Sequence, residues 1–394
     1  MRKVLISGAG IAGPSLAYWL LKYGFEPTLI ERAPSFRDGG YMIDVWGTGY
    51  EILERYGLLE AAKSHGYHFD RLKFVDGNGR KVSGFGGDVF SGALDDRLFS
   101  IPRGDLAHVL FQTIDGKVET IFGTTIQALA EDDEGVQVEL ADGSTRRFDL
   151  VVGAGGLHSR VRELVFGPEQ AFEKYLGYCA GSFVAADYPH RDDATYTSFA
   201  QPGRQISRYA MRDNKTAFLL VFAANAPPQF ASHDIAAHKR LLREEFGGDG
   251  WESREILRRL DAADELYFDI VSQIRMPQWT RGRIALVGDA AYCPSLLAGA
   301  GSAFAMLGAY VLAGELHWAV GDHRPAFAAY EKRLSDFLRR QQDNAVRFAG
   351  SFTPKTRFGV LLRDCILNVM NIRPIGVWLT RQMLGETYPL PDYG

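Results

Sequence analysis

Residues 3–31, KVLISGAGIAGPSLAYWLLKYGFEPTLIE, constrain this chain more than any other stretch. An apolar run from Lys3 to Ser7 ends in a glycine turn, apolar residues then recur at helical spacing from Ala12 to about Tyr23, and a second apolar run, EPTLIE, follows. Strand, glycine turn, helix and strand read as the opening βαβ unit of a parallel sheet. In the turn, Gly8 permits the tight bend, Gly10 lets a pyrophosphate approach the backbone, and Gly13 allows the helix to pack closely. The helix start at Ile11 and Ala12 offers free N–H groups to phosphates. Glu31 closes the second strand, where a carboxylate accepts hydrogen bonds from an adenosine ribose. Arg32 beside it leaves a 2′-phosphorylated dinucleotide open on this segment alone.

Two later stretches repeat the strand-to-turn theme. The hairpin GVQVELADGSTRRF, turning at Asp142 and Gly143, feeds a buried run that continues as DLVVGAGGLHSRVR, residues 149–162. The third is RIALVGDAAYCPSLLAGAGSAFAML, residues 283–307, where Asp289 projects from the carboxyl end of a strand and Gly299–Gly301 opens an apolar helix. Open α/β sheets bind ligands at that edge, and the helix start suits an anion or the negative pyrimidine edge of a reduced flavin. Between these stretches, GYCAGSFVAADY, YTSFAQPGRQISRYAM and AFLLVFAAN alternate like strands of an antiparallel sheet. From Ser302 the pattern is helical, with one helix to about Val320, one from Pro325 to about Phe348, and one containing GVLLRDCILNVM.

The expected fold class is therefore α/β, a doubly wound Rossmann-like domain carrying an inserted antiparallel β-sheet domain and C-terminal helices. The nucleotide domain is assigned to residues 1–74, 96–172 and 278–322, a substrate-binding domain to 75–95 and 173–277, and a helical segment to 323–394. The net charge of −4 supplies no global attraction to nucleic acid or anionic lipid, so a small-molecule partner is expected. Cys179, Cys293 and Cys365 are far apart, odd in number and without C-x-x-C spacing, which indicates neither a disulfide framework nor a zinc site and fits a reducing cytoplasm. The run CILNVMNIRPIGVWLT is broken by Arg373 and Pro374, so no membrane span is read there.

The segments GAGIAGP…ER, DLVVGAGGLHSRVR and GRIALVGDAAYCPS…GAG, in this order, resemble the FAD-dependent aromatic hydroxylases and related single-component flavin monooxygenases. The stretches GGYMID (39–44) and IPRGDLAHVL (101–110), with the helical C-terminus, look closest to the tetracycline-inactivating members. The resemblance implies one FAD held by all three motifs, reduction by NADPH or NADH, and addition of O2 to give a flavin C4a-hydroperoxide. It places Glu31 at the ribose, Arg32 on the adenine side, Asp289 at the ribityl chain, Arg103 beside the cofactor, and Gly40 and Asp44 near the flavin ring. Pro294, Gly299, Ala300 and Gly301 complete the last motif.

Three positions depart from the pattern. Gly155 stands where the family carries an Asp thought to serve cofactor and reductant. Tyr292 stands for a His, and Ala300 for a Gln. These substitutions keep three functions open: a monooxygenase of an aromatic or enolic multi-ring compound such as a polyketide or antibiotic, a flavin dehydrogenase or oxidase, and a flavin-binding protein without turnover. No catalytic base is legible, since His190, His233, His238 and Tyr209 are isolated, while His158 and Ser159 read as structural. Cys293 reads as a buried thiol. Phe183, Tyr196, Phe199, Tyr209, Phe218 and Phe222 alternate so that some can line a cavity and others a core. A monomer or homodimer is expected.

Overall fold

The computed structural model describes residues 2–36, 41–229, 234–384 and 386–394. The chain opens with β1 (Lys3–Ser7), α1 (Ala12–Lys22), β2 (Glu26–Glu31), β3 (Met42–Trp46), α2 (Thr48–Tyr56), α3 (Leu59–His65), β4 (Arg71–Val75) and β5 (Lys81–Gly86). It continues through α4 (Asp88–Leu94), β6 (Leu98–Pro102), α5 (Arg103–Gln112), β7 (Glu119–Phe122), β8 (Ile126–Glu131), β9 (Val136–Leu140), β10 (Thr145–Phe148), β11 (Leu150–Gly153) and α6 (Arg160–Val165). The inserted stretch holds β12 (Glu173–Ala186), β13 (Thr195–Gln201), β14 (Arg204–Ala210), β15 (Lys215–Ala223), α7 (Ile235–Phe246), α8 (Ser253–Ala262) and β16 (Tyr267–Ile274). Then come β17 (Thr280–Arg281), β18 (Ile284–Leu286), α9 (Asp289–Tyr292), α10 (Gly301–Trp318), α11 (His323–Phe352), α12 (Arg357–Val369) and α13 (Arg373–Met383).

The three apolar runs of the sequence lie side by side. The first sheet has the order β17-β18-β11-β1-β2-β7, parallel throughout except for β17. Strands buried on both faces need continuous apolar sequence, and β1, β2, β11 and β18 supply it. Helix α1 covers one face with Leu16, Trp19 and Leu20, all essentially buried. It stops at Gly24, whose φ of +81° turns the chain back so that Phe25 N–H bonds Leu20 O. Helix α10 is apolar all round and buried from Phe304 to Leu316, so it forms the centre of this half rather than a surface.

The inserted stretch builds a seven-stranded sheet of order β16-β12-β15-β14-β13-β4-β5. The sheet is antiparallel except where β13 runs parallel to β4, so the early strands β4 and β5 belong to it. The long strand β12 carries a bulge between Tyr175 and Cys179, where Gly177 has a φ of +82°. Helices α7 and α8 cover one face. A two-stranded ribbon, β3 with β6, connects the two halves. The amphipathic helices α7 and α8 are the clearest elements that strand periodicity in this stretch conceals.

Candidate active site

The first glycine turn is held by its neighbour on the sheet. Gly8 has a φ of +120°, and a Cβ there would lie 2.5 Å from Ala154 O, in the turn after β11. A Cβ on Gly13 would lie 1.9 Å from Gly8 O, so the helix can approach the strand only without one. Gly10 is different, because the first atom its Cβ would meet is Arg103 Nη2, at 3.5 Å. Helix α1 begins behind Ile11 with no side-chain cap, so the first-turn amides at Ala12 and Gly13 remain available to an anion. Glu31 is pinned at the strand end, where its two oxygens accept from Ala9 N–H (2.8 Å) and Ala33 N–H (2.9 Å). Each oxygen keeps a lone pair for a ligand hydroxyl. Arg32 is exposed beside it.

The last motif meets the first at Gly288. That residue has a φ of +68°, and a Cβ on it would be 3.1 Å from Ala12 Cβ and 3.3 Å from Ala305 Cβ. The starts of α1 and α10 therefore flank one turn, and neither helix has a side-chain cap. Asp289 follows, with Oδ1 at 3.5 Å from where a Gly301 Cβ would stand. Burial pushes its carboxyl above the ordinary range, and the Arg103 guanidinium opposes that shift. Arg103 N–H bonds Tyr41 O at 3.0 Å, and the Tyr41 ring lies 5.1 Å from that of Tyr267 on β16. Burial raises both phenols, again against Arg103. Gly299 turns with a φ of +68° against Trp46, and Ala300 precedes α10. Burial and Asp289 keep the Cys293 thiol neutral. Tyr292 is buried and shares a hydrogen bond with Tyr330 (3.1 Å) beside Gly308.

Two braces hold these motifs together. Arg162 is fully buried and donates to Leu157 O, to Glu169 Oε2 (2.6 Å) and to Ala290 O (3.1 Å), tying the middle motif to α9. Gln273 Nε2 donates to Pro294 O (2.8 Å) and to Gln342 O (2.7 Å), while Gln342 Nε2 donates to Ile274 O and Cys293 O. Sequence reading missed both glutamines, whose partners are up to 69 residues away. The loop they grip contains Ser295 at φ +116°, ψ 146°, a conformation costing a non-glycine residue roughly 1–3 kcal/mol.

Gly155 has φ −77° and ψ 10°, and its Cβ would meet Ser159 Cα only at 3.4 Å. The backbone therefore tolerates a side chain at this position. Gly156, with a φ of +73°, is the residue of the pair whose backbone favours glycine. Ser159 caps α6 by accepting from Arg162 N–H, as its structural reading required.

The ribbon carries the site to the second sheet. Asp44 on β3 faces Ser100 on β6, and Ser100 Oγ donates to Asp44 Oδ1 at 2.5 Å. Burial raises the Asp44 carboxyl, with the Ser100 bond opposing. Tyr196 OH reaches Ser100 Oγ at 3.5 Å, and its ring stacks on Tyr209 at 4.5 Å. Of the six aromatics singled out, these two face the ribbon. Phe183, Phe218 and Phe222 instead pack under α7 and α8, and Phe199 lies beside Trp251. His238 stacks on Phe268. Gly40 and His233 lie outside the described residues. A surface cleft of about 490 Å³, lined by Lys73, Arg208, Trp251 and Glu252 among others, holds none of the predicted cofactor residues.

His158 links the middle motif to the second sheet. Hydrogen bonds to Asp269 (Nε2, 3.5 Å) and Glu169 (Nδ1, 2.9 Å) raise its pKa from 6.5 to about 10. A raised folded-state pKa stabilises fully below about 6.5, and the contribution is lost as pH rises through about 10. We expect His158→Gln to destabilise the protein at about pH 6 and to differ little from wild type above about pH 10. Urea unfolding at the two pH values measures this, and an equal difference at both would refute the linkage.

Comparison with known proteins agrees with this geometry. Residues 1–337 match the FAD binding domain family. An uncharacterized protein of Mycobacterium tuberculosis is 38% identical over 348 residues, covering 87% of this chain and 92% of that one. A flavin-dependent monooxygenase of Legionella longbeachae is 35% identical over 360 residues, 90% of each chain. The crystal structure of the tetracycline destructase Tet(51) superposes with a TM-score of 0.85 at 30% identity, covering 100% of both chains. Among the described residues no helix is long and apolar enough to cross a membrane. The chain belongs to the FAD-binding family of aromatic-hydroxylase-type flavin monooxygenases.

Proposed function

We propose that this enzyme uses NADPH or NADH and O2 to hydroxylate an aromatic or enolic multi-ring small molecule, of the polyketide or antibiotic class, in the cytoplasm. The observation that carries the reading is the convergence at Gly288 and Asp289 of two uncapped helix starts, with Arg103 alongside and the β3–β6 ribbon leading directly to Tyr196 and Tyr209. The resemblance to a tetracycline destructase supports a multi-ring substrate.

The residues fit FAD, since the steric need for glycine at Gly8 and Gly13 and the bare backbone of Gly10 beside Arg103 make a phosphate cradle. In this reading the amides from Gly8 through Ile11 and Ala12 to Gly13 hold the pyrophosphate, Glu31 holds the ribose and Arg32 flanks the adenine. Asp289 takes the ribityl hydroxyls, and Pro294, Gly299, Ala300 and Gly301 present the start of α10 to the pyrimidine edge. When bound and reduced, the flavin supplies electrons that activate O2 for transfer of one oxygen atom. Asp44, Ser100 and Tyr196 offer hydrogen bonds to a phenol or enol, and the aromatic stack around Tyr209 excludes water from the reacting face.

The test is to reduce the purified flavoprotein with NADPH in the presence of phenols and tetracycline-like compounds under isotope-labelled O2. Label in the product supports hydroxylation. Substrate oxidation without label would assign the scaffold to a dehydrogenase or oxidase instead.

Gly155 sits where the family's acid would serve cofactor and reductant, so reduction by NADPH is expected to be slow or substrate-dependent while FAD still binds. A Cβ at Gly155 comes no closer than 3.4 Å to its neighbours, so Gly155→Asp should fold, retain FAD and change the reduction rate on the order of tenfold, the effect of one charge-assisted hydrogen bond. Anaerobic stopped-flow bleaching of the flavin reads this, and identical rates in both proteins would sink the assignment.

A further inference from the structure

Helix α12 packs one side on the protein, where Leu367 and, just past the helix end, Met370 join Phe74, Phe85 and Val89 in a small apolar cluster. Hydrogen bonds edge this contact: Ser83 Oγ donates to Asp364 (2.8 Å), Asn368 Nδ2 donates to Val82 O (3.1 Å), and Asn371, just past the helix end, donates to Gly84 O (2.8 Å). These bonds cover β5, the edge strand of the seven-stranded sheet. The opposite stripe is Phe358, Leu361, Leu362, Ile366 and Val369, a single helical face. It is exposed, from 42% at Ile366 to 74% at Phe358. Helix α13 continues the feature with Ile372 just before it and Ile375, Trp378 and Met383, all exposed. Its inner side is fixed at Gly376, where a Cβ would be 3.0 Å from Val89 Cγ1. The helix thus carries a second apolar stripe on its solvent side, and monomeric proteins rarely expose so many contiguous large apolar side chains.

The charges beside this face are of one sign. Residues 355–384 contain Lys355, Arg357, Arg363, Arg373 and Arg381 against the single acid Asp364, in a chain whose net charge is −4. Asp364 is engaged by Arg363 at 2.9 Å, while Lys355, Arg357, Arg373 and Arg381 are exposed. Apolar stripe, exposed tryptophan and basic flanks match a helix lying in a lipid interface. The aliphatic residues enter the acyl boundary, Trp378 sits at headgroup depth, and the long cations reach lipid phosphates. Self-pairing about a two-fold axis would instead bring the same cations towards each other.

We propose that α12 and α13 form a docking surface for an anionic lipid bilayer, on which the enzyme sits peripherally. The experiment is cosedimentation of the full-length flavoprotein with vesicles of phosphatidylcholine containing phosphatidylglycerol, against phosphatidylcholine alone. Partitioning to the anionic vesicles should be on the order of tenfold stronger and should fall with added salt. Leu361→Asp with Ile366→Asp should reduce it by at least about tenfold while flavin content and circular dichroism stay unchanged. Lys355→Gln with Arg357→Gln, which leaves the apolar stripe intact, should weaken anionic binding on the order of tenfold. The proposal is overturned if the wild type ignores anionic vesicles, if both double variants bind as the wild type does, or if the variants change only the oligomeric state on sizing, which would give the face to a second copy.

Discussion

Gly13→Ala is expected to purify without flavin. The added methyl group would fall 1.9 Å from the backbone oxygen of Gly8, and no flexible side chain is there to yield. Relief requires α1 to move away from β1, which carries its first-turn amides out of register with a phosphate and pulls Ala12 off Gly288. The tolerance for such movement is small, because Leu16, Trp19 and Leu20 are locked in the core one and two turns further on. Binding should weaken by roughly 100-fold or more, about 2.8 kcal/mol. Gly350→Ala, on α11 and away from the cradle, is the matched control, since an added methyl group there meets nothing within 4 Å. Flavin absorbance per mole of protein, with titration of added FAD, measures both. Full retention of FAD by Gly13→Ala would refute the cradle.

Arg162→Met should be the most destabilising single change in the middle motif. The guanidinium is completely buried, and removing it strands the Glu169 carboxylate with the carbonyls of Leu157 and Ala290. Breaking a buried pair from one side typically costs about 3–5 kcal/mol. His158 still engages Glu169, which keeps the expected loss near the lower end of that range. Arg162→Lys keeps the charge but cannot span three acceptors, so it should restore only part of the loss. Thermal unfolding reports stability, and flavin content reports whether α9 has shifted. A melting temperature equal to that of wild type in Arg162→Met would show that the three contacts are dispensable.

Local rules made the nucleotide-binding half legible. The bounds of β1 and β2 match the apolar runs residue for residue, because a strand buried on both faces leaves little freedom. That the first and last motifs share one neighbourhood is implied only by the family resemblance, and the structure brings Gly288 against Ala12. Local rules failed where function depends on which face of a strand meets which neighbour. Alternation marks Tyr196 and Phe199 as opposite, but only the register of β13 against β14 and β4 decides that Tyr196 meets the ribbon. Buried polar braces such as Gln273 on β16 and Gln342 on α11 carry no local signal, since neither residue shows its partner until strand and helix are packed together. The outward apolar stripe of α12 has ordinary helical periodicity, and sequence cannot show which face points inward.

The unstrained backbone at Gly155 bears on how such enzymes diversify. Glycine and aspartate codons differ by one nucleotide, and here that change meets neither a left-handed backbone angle nor a steric wall. Acid-bearing and acid-free forms of this clasp are thus neighbours in sequence space that share one folded scaffold, whereas a change at Gly13 must pass through a damaged one. Under the reading proposed for this position, reduction of the flavin can be tuned there without first paying in stability.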